Sequence, residues 1–188
     1  MNKIEIYTDG SAIMRPKENR YEAASACTIY IDDERCYSCS VYHKNGTNSI
    51  GEVYAVKYGL FKMKDILREK GIDPEDVEIS LYSDSDYVVK SLTSYIKGWV
   101  KAGLNVEWIS HTSGTSVKYQ DVWKDIYATF LYKKNPYQIH FYHINSHILK
   151  NKSAIRSAWF AFMKRNEEEI SLEEFEKHIH RNDEVDTI

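Results

Sequence analysis

Apolar residues recur along this chain with two different periods. Ile4 and Ile6 alternate with Glu5 and Tyr7, the period of a half-buried strand. That segment runs into Asp9-Gly10, a turn signal, so the strand is expected to end there. Ala12 to Arg20 reads as a charged loop containing Pro16. Tyr21 to Ile31 reads as a second strand, with Ala24, Ala26 and Thr28 on one face, and Arg35 to His43 as its return after an Asp32-Asp33-Glu34 turn. Beyond a polar loop with Asn45-Gly46 the period changes. Val53, Val56, Leu60, Met63 and Leu67 recur at three and four, which predicts a helix over 51–70 that Gly71 stops. Val77 to Tyr82 returns to a strand. Ser85 to Ile96 follows as a helix with Val88, Val89 and Leu92 inward, interrupted by Gly98. Lys118 to Lys134 is predicted helical from Val122, Ile126 and Phe130, with Pro136 as its end, and Gln138 to His143 is the last strand.

Past that strand, Ile155, Trp159, Phe162 and Met163 form one more apolar stripe, and Ser171-x-x-Glu174 is a capping signal. Residues 148–181 are therefore expected to form a helical hairpin packed on the body, with a basic helix lying along a substrate as the sharper alternative. The order of elements is of the α/β class. No repeat, low-complexity tract or linker divides it, so residues 1–188 are expected to be one domain.

Composition narrows the picture. A chain of 188 residues, 43% apolar and 28% charged, can bury a real core. It has no run of 18 apolar residues, so no membrane span is expected. A strand begins almost at the N-terminus, leaving no room for a signal peptide, and three cysteines fit a reducing compartment. A cytoplasmic location is the expectation. Cys36 and Cys39 form a C-x-x-C, but within a strand such positions face opposite ways, so buried thiols are expected rather than a zinc or redox pair. The net charge of −3 argues mildly against nucleic acid. The average hides a pattern, since residues 167–188 carry a net −7 and the remainder +4. A nucleic-acid site is possible if it is local.

The candidate chemistry lies in acids. Leu81-Tyr82-Ser83-Asp84-Ser85 repeats the form of Tyr7-Thr8-Asp9-Gly10-Ser11, an apolar strand leading to an aspartate. Glu52 stands in the first turn of the predicted helix, and Asp186 lies near the C-terminus. Each has a plain alternative: Asp9 can shape a turn, and Ser49-x-x-Glu52 fits a capping box. Together, four acids from separate elements could converge. Converging carboxylates repel unless metal lies between them, and hard oxygen ligands select magnesium or manganese. Two such ions suit phosphoryl transfer.

Tyr7-Thr8-Asp9-Gly10-Ser11, Glu52 opening a helix, Tyr82-Ser83-Asp84-Ser85, a late histidine, and Asn182 four residues before Asp186 resemble ribonuclease H type 1. The resemblance covers nearly the whole chain. It implies a mixed five-stranded sheet with helices on both faces. It also implies that Asp9, Glu52, Asp84 and Asp186 hold two magnesium ions, with manganese as a substitute. The implied activity is endonucleolytic hydrolysis of the RNA strand of an RNA/DNA hybrid, leaving 5′-phosphate and 3′-hydroxyl ends. His147 matches the family's mobile catalytic histidine, with His143 as runner-up. Ser11, Thr47, Asn48 and Ser49 match polar contacts to a DNA phosphate and the minor groove. Trp99, Lys101 and Lys118 match a basic protrusion that grips the DNA strand, whereas Trp123 fits the core better.

The chain also departs from the family. Arg15-Pro16-Lys17-Glu18 replaces the usual Asn-Pro-Gly loop, Asp86 adds an acid, the stretch between His147 and Asp186 is long, and the sequence stops two residues past Asp186. A non-catalytic nucleic-acid-binding module of the same fold is the alternative. A monomer is expected in either case.

Overall fold

The computed structural model describes residues 2–145. The expectations for His147, for the 148–181 insert and for Asp186 lie outside these residues. The alternating segment at the N-terminus becomes β1 (Asn2–Arg15), the middle strand of a five-stranded sheet of order β3-β2-β1-β4-β5. β2 (Arg20–Ile31) runs antiparallel to β1 from Ile4↔Ile31 to Arg15↔Arg20, and β3 (Glu34–His43) runs antiparallel to β2. β4 (Val77–Ser83) lies parallel to β1 only as far as Thr8↔Ser83. β5 (Ile139–His143) lies parallel to β4. The Thr8 hydroxyl donates to the Tyr82 carbonyl as the last tie between β1 and β4. Beyond it the two strands separate, and Asp9 is the first residue of the opened edge. Mixed sheets receive their ligands at such a place.

The turn expected at Asp9-Gly10 does not form, because a tertiary contact outweighs the local signal. Gly10 stays in the strand, paired with Ser25, and is small because the start of a helix passes over it. The expected 12–20 loop shrinks to a 3₁₀ turn over Pro16–Glu18 closed by Asn19 at φ 46°. On either side of this turn Arg15 and Arg20 each reach buried Glu22 at 2.8 Å. Burial pushes the Glu22 carboxyl up, but hydrogen bonds from Arg15 and Tyr42 and the charges of both arginines bring it below its ordinary value. The contribution of this cluster is therefore complete above the ordinary carboxylate range and is lost as pH falls through the lowered value. Glu22→Ala is expected to cost about 2 kcal/mol in urea melts at pH 7, less than the ~3–5 kcal/mol of a fully buried pair because both guanidinium groups keep some solvent contact. The deficit should shrink in acid.

The row Val53, Val56, Leu60, Met63 and Leu67 is buried along α1 (Asn48–Lys70), against Ile4, Ile6, Ile29, Ile79 and Leu81. Gly71 ends the helix at φ 64°, as expected. Its start differs from the expectation. Thr47 is the N-cap and Ser49 already lies inside the helix, so the Ser49–Glu52 capping box is not made. Glu52 is left for another use.

α2 (Asp86–Lys90), a π turn (Ser91–Tyr95), α3 (Ile96–Trp99) and a 3₁₀ turn (Val100–Ala102) form one helical run that ends at Gly103, φ 101°. Gly98 does not interrupt it. A helical glycine costs only about 1 kcal/mol, and the neighbouring Ile96 and Trp99 are both buried. α4 (Gln120–Ile126) continues as a π turn to Leu131. It is shorter than the 118–134 expectation at both ends. Tyr119 takes a left-handed conformation before it, and the Tyr132 N–H closes back on the Tyr127 carbonyl.

These helices share one core with Ile4, Ile6, Ile79 and Leu81. On the sheet, rings stack across strands, Tyr7 to Tyr82 at 4.8 Å and Tyr82 to Tyr142 at 5.2 Å. Cys27 and Cys39 are cross-strand partners with sulfurs 3.2 Å apart, while Cys36 donates its thiol to the Ile29 carbonyl beside a β-bulge. The C-x-x-C therefore makes no pair. No described helix is long and apolar enough to cross a membrane.

Candidate active site

Three elements deliver three acids to the opened edge. Asp9 continues β1 past its last pairing with β4. Asp84 lies between the end of β4 and Ser85, whose hydroxyl caps α2 by accepting from the Val88 N–H. Glu52 comes from the second turn of α1. One carboxylate oxygen from each of Asp9, Glu52 and Asp84 lies within 4.8 Å of the others.

The seat of Glu52 is sterically fixed. A Cβ at Gly10 would stand 2.1 Å from the Glu52 backbone nitrogen, and one at Gly51 would stand 2.6 Å from the Ala24 carbonyl. Only two glycines let strand and helix approach this closely.

Electrostatics make the cluster uncomfortable without a counter-charge. Asp9 and Glu52 are buried, and Asp84 is half-buried. Burial, then the charge of Asp84, raises the Asp9 carboxyl to about 7. Burial, then Asp9 and Asp84, raises Glu52 well above its ordinary value. Burial also raises Asp84, against lowerings from a backbone hydrogen bond and then from His143. Glu52 Oε1 accepts from Asn48 Nδ2 at a long 3.5 Å, and Glu52 Oε2 is buried with no hydrogen-bond partner. An orphaned carboxylate oxygen beside two more acids, with no nitrogen or sulfur donor in the set, fits a hard divalent cation such as magnesium or manganese.

His143 was the second choice from sequence, and its Nε2 lies 3.0 Å from the Asp84 carbonyl oxygen. His147 and Asp186 lie outside the described residues. Asp86 points to solvent, paired with Lys90 at 2.6 Å, and does not enter the cluster.

A cavity of about 590 Å³ opens between the start of α1 and the α2–α3 run, with none of the three acids in its wall. Ser49, Trp99 and Lys118 line it, together with Tyr87, Tyr95 and the hydroxyl-rich loop Ser110–Ser116. That loop was visible in the sequence only as polar, with nothing to assign it to a site. Trp99 is just 8% exposed and packs 6.0 Å from Trp108 and 6.5 Å from Trp123, so little of its ring is open to the cavity. Trp123 is core, as expected. The Thr47 hydroxyl meets the Tyr119 hydroxyl at 3.4 Å, and Asn48 turns toward Glu52. Ser11 is half-buried next to Gly51. Lys101 is exposed and does not line the cavity.

The sequence profile of the ribonuclease H family matches residues 1–158, most of the chain. The chain belongs to the ribonuclease H family. A ribonuclease H of Lachnoclostridium phytofermentans is 30% identical over 149 residues, covering 77% of this chain and 81% of its own length. One from Acetivibrio thermocellus is 29% identical over 127 residues, 67% of this chain and 73% of its own. Among solved structures, LC9-RNase H1, a type 1 ribonuclease H with the type 2 active-site motif, superposes with a TM-score of 0.61 at 16% identity, over 90% of this chain and 75% of that one. LC11-RNase H1, solved with an RNA/DNA hybrid, superposes at 0.58 and 20% identity, over 86% of this chain and 98% of that one. The mixed five-stranded sheet is thus that of the ribonuclease H fold.

Proposed function

We propose that this ribonuclease H cuts the RNA strand of RNA/DNA hybrids endonucleolytically, leaving 5′-phosphate and 3′-hydroxyl ends. The observation that carries the reading is the convergence of Asp9, Glu52 and Asp84 at the opened edge of β1, with one Glu52 oxygen unpartnered. These three acids, joined by Asp186, would hold two magnesium ions, or manganese in their place. Bound ions of this kind supply a water-derived nucleophile at neutral pH and neutralise charge on the leaving oxygen. The carboxyls must shed their protons to take part, and their raised values oppose this at acid pH. His143 braces the Asp84 backbone, and His147 would move protons or product.

The chain's own surface supports a hybrid as substrate. The N-terminal end of α1, with Thr47, Asn48 and Ser49, presents a positive helix end to a phosphate. The cavity lined by Ser49, Lys118, several hydroxyls and aromatic side chains offers polar and apolar contacts to a sugar–phosphate strand. Ser11 and Lys101 would extend this contact at either end. The similar LC11 structure holds an RNA/DNA hybrid, which supports the same choice here. Lys118→Ala is expected to weaken hybrid binding about 3- to 10-fold and to lower the slope of log affinity against log salt by about 1. Fluorescence anisotropy across a salt series measures both. We propose that the protein is a cytoplasmic monomer.

The deciding experiment uses end-labelled RNA annealed to DNA, with magnesium, beside single-stranded RNA, duplex RNA and duplex DNA. Cleavage of the hybrid alone, lost in Asp84→Asn, is the expected result. Hybrid retained in a shift assay but uncut in any divalent metal would replace this reading with that of a binding module.

A further inference from the structure

The side chain of Glu52 has few contacts to fix where it stands. One of its oxygens has no partner, and the carboxylate is otherwise held by the Gly10 backbone and by Asn48 at 3.5 Å. Thr47 gives α1 no side-chain cap. The start of the helix is therefore seated through its backbone. One side of that seat is the steric crossing at Gly10 and Gly51. The other side is polar, and nothing in the reaction as described above uses it.

Ser25, fully buried on β2, donates its hydroxyl to the Gly51 carbonyl at 2.8 Å. The same oxygen lies 2.7 Å from Nε2 of His43. The single Ser25 proton is committed to Gly51, so the serine oxygen accepts and His43 Nε2 carries the hydrogen. His43 ends β3 in register with Ala23, diagonal to Ser25, and its ring packs 5.3 Å from Tyr54, two residues past Glu52. The chain His43–Ser25–Gly51 thus ties two strands to the residue just before Glu52. A serine beside a histidine also suggests a nucleophile. The proton direction excludes it, because an activated serine gives its hydrogen to the imidazole. Here that hydrogen sits on a carbonyl, and the serine is inaccessible.

We infer that Ser25 and His43 are positioning residues that set where Glu52 stands relative to Asp9 and Asp84, and so set the affinity of the site for divalent cations. The inference rests on the reading of Glu52 as a metal-holding acid. Partners that orient a metal-binding side chain typically change affinity by roughly 10- to 100-fold when removed.

The test is calorimetric titration of Mn²⁺ into the full chain and into Ser25→Ala, His43→Leu, His43→Gln and Glu52→Gln. The magnesium dependence of hybrid cleavage is measured on the same proteins. Ser25→Ala and His43→Leu should each weaken Mn²⁺ binding roughly 10-fold and raise the magnesium needed for half-maximal cleavage by the same factor. KM for the hybrid at saturating metal should not move. His43→Gln, which keeps an N–H for Ser25, should recover most of the affinity, a rescue that general loosening of the fold would not produce. Wild-type Mn²⁺ affinity in Ser25→Ala or His43→Leu overturns the inference. If Ser25→Ala does not fold, the contrast between His43→Leu and His43→Gln decides alone, and equal affinities overturn it. Wild-type affinity in Glu52→Gln would overturn the metal-site reading beneath it. A weakened Glu52→Gln beside unaffected Ser25 and His43 variants would overturn this inference only.

Discussion

Asp9→Asn should abolish hybrid cleavage, by at least ~10³-fold, and yet raise the melting temperature of the metal-free protein. The loss follows from removing one of the three converging acids on which the proposed reaction depends. The gain follows from linkage. The Asp9 carboxyl is raised from 3.8 to about 7 by burial and by Asp84, so the folded state holds a proton that the unfolded chain has released. Stability therefore falls as pH rises through that window. Near pH 7.5 the cost is on the order of 2–4 kcal/mol, shared with Glu52, and an amide avoids it. Calorimetry in a chelator should show Asp9→Asn melting ~5–10 °C above the wild type near pH 7.5. The gap should close only well below the ordinary value of 3.8, near pH 3, where the wild-type acid is protonated in both states. It should close as well when magnesium is added to the wild type, since a ligand that binds only the folded state stabilises it by mass action. Equal melting temperatures in chelator at both pH values would contradict the described electrostatics.

Gly10→Ala is expected to be the most damaging single methyl in the described chain. Its Cβ would meet the Glu52 nitrogen at 2.1 Å and the Gly51 carbonyl carbon at 2.4 Å, both backbone atoms. β1 cannot retreat, because Gly10 is paired with Ser25. α1 cannot rise without breaking the Ser25–Gly51 hydrogen bond and lifting Val53 and Val56 from the core. A cost of at least ~3 kcal/mol and a cleavage rate lower by ~10²-fold or more should follow. Gly71→Ala is the natural control. At φ 64° a side chain there is strained by ~1 kcal/mol, but nothing lies within 4 Å and the site is distant, so activity per folded molecule should hold. Urea melts with parallel cleavage assays separate the two. A Gly10→Ala protein as stable as Gly71→Ala would show that the crossing is looser than its geometry indicates.

Those two positions also show what could be read from the sequence and what could not. The strand around Ile4 and Ile6 and the helix row from Val53 to Leu67 were legible because periodicity reports which side faces a core, and both sides do. The acids were legible as a set because Asp9 and Asp84 recur at matching places on two strands that turn out to be parallel neighbours. Local signals failed where distant contacts overrode them. Asp9-Gly10 resembles a turn, yet the glycine serves a helix start some 40 residues away in sequence. Ser49 and Glu52 have the spacing of a capping box, but the helix begins at Asn48 and the box never closes. Gly98 looked like a break because propensity knows nothing of the burial of Ile96 and Trp99. The Ser25–His43 contact joins two strands at diagonal positions, and no short-range pattern encodes it.

The tryptophans of the core have an optical side. Of the four in the chain, Trp99, Trp108 and Trp123 form one cluster, with ring centroids 6.0 and 6.5 Å from Trp99 to the other two. Among these three only Trp99 borders the cavity lined by Ser49 and Lys118. At such spacing excitation passes readily from ring to ring, so one indole at the cavity wall can drain the emission of all three. On the proposed function, a strand entering there is expected to dim the whole cluster, a label-free reading of when the cavity is filled.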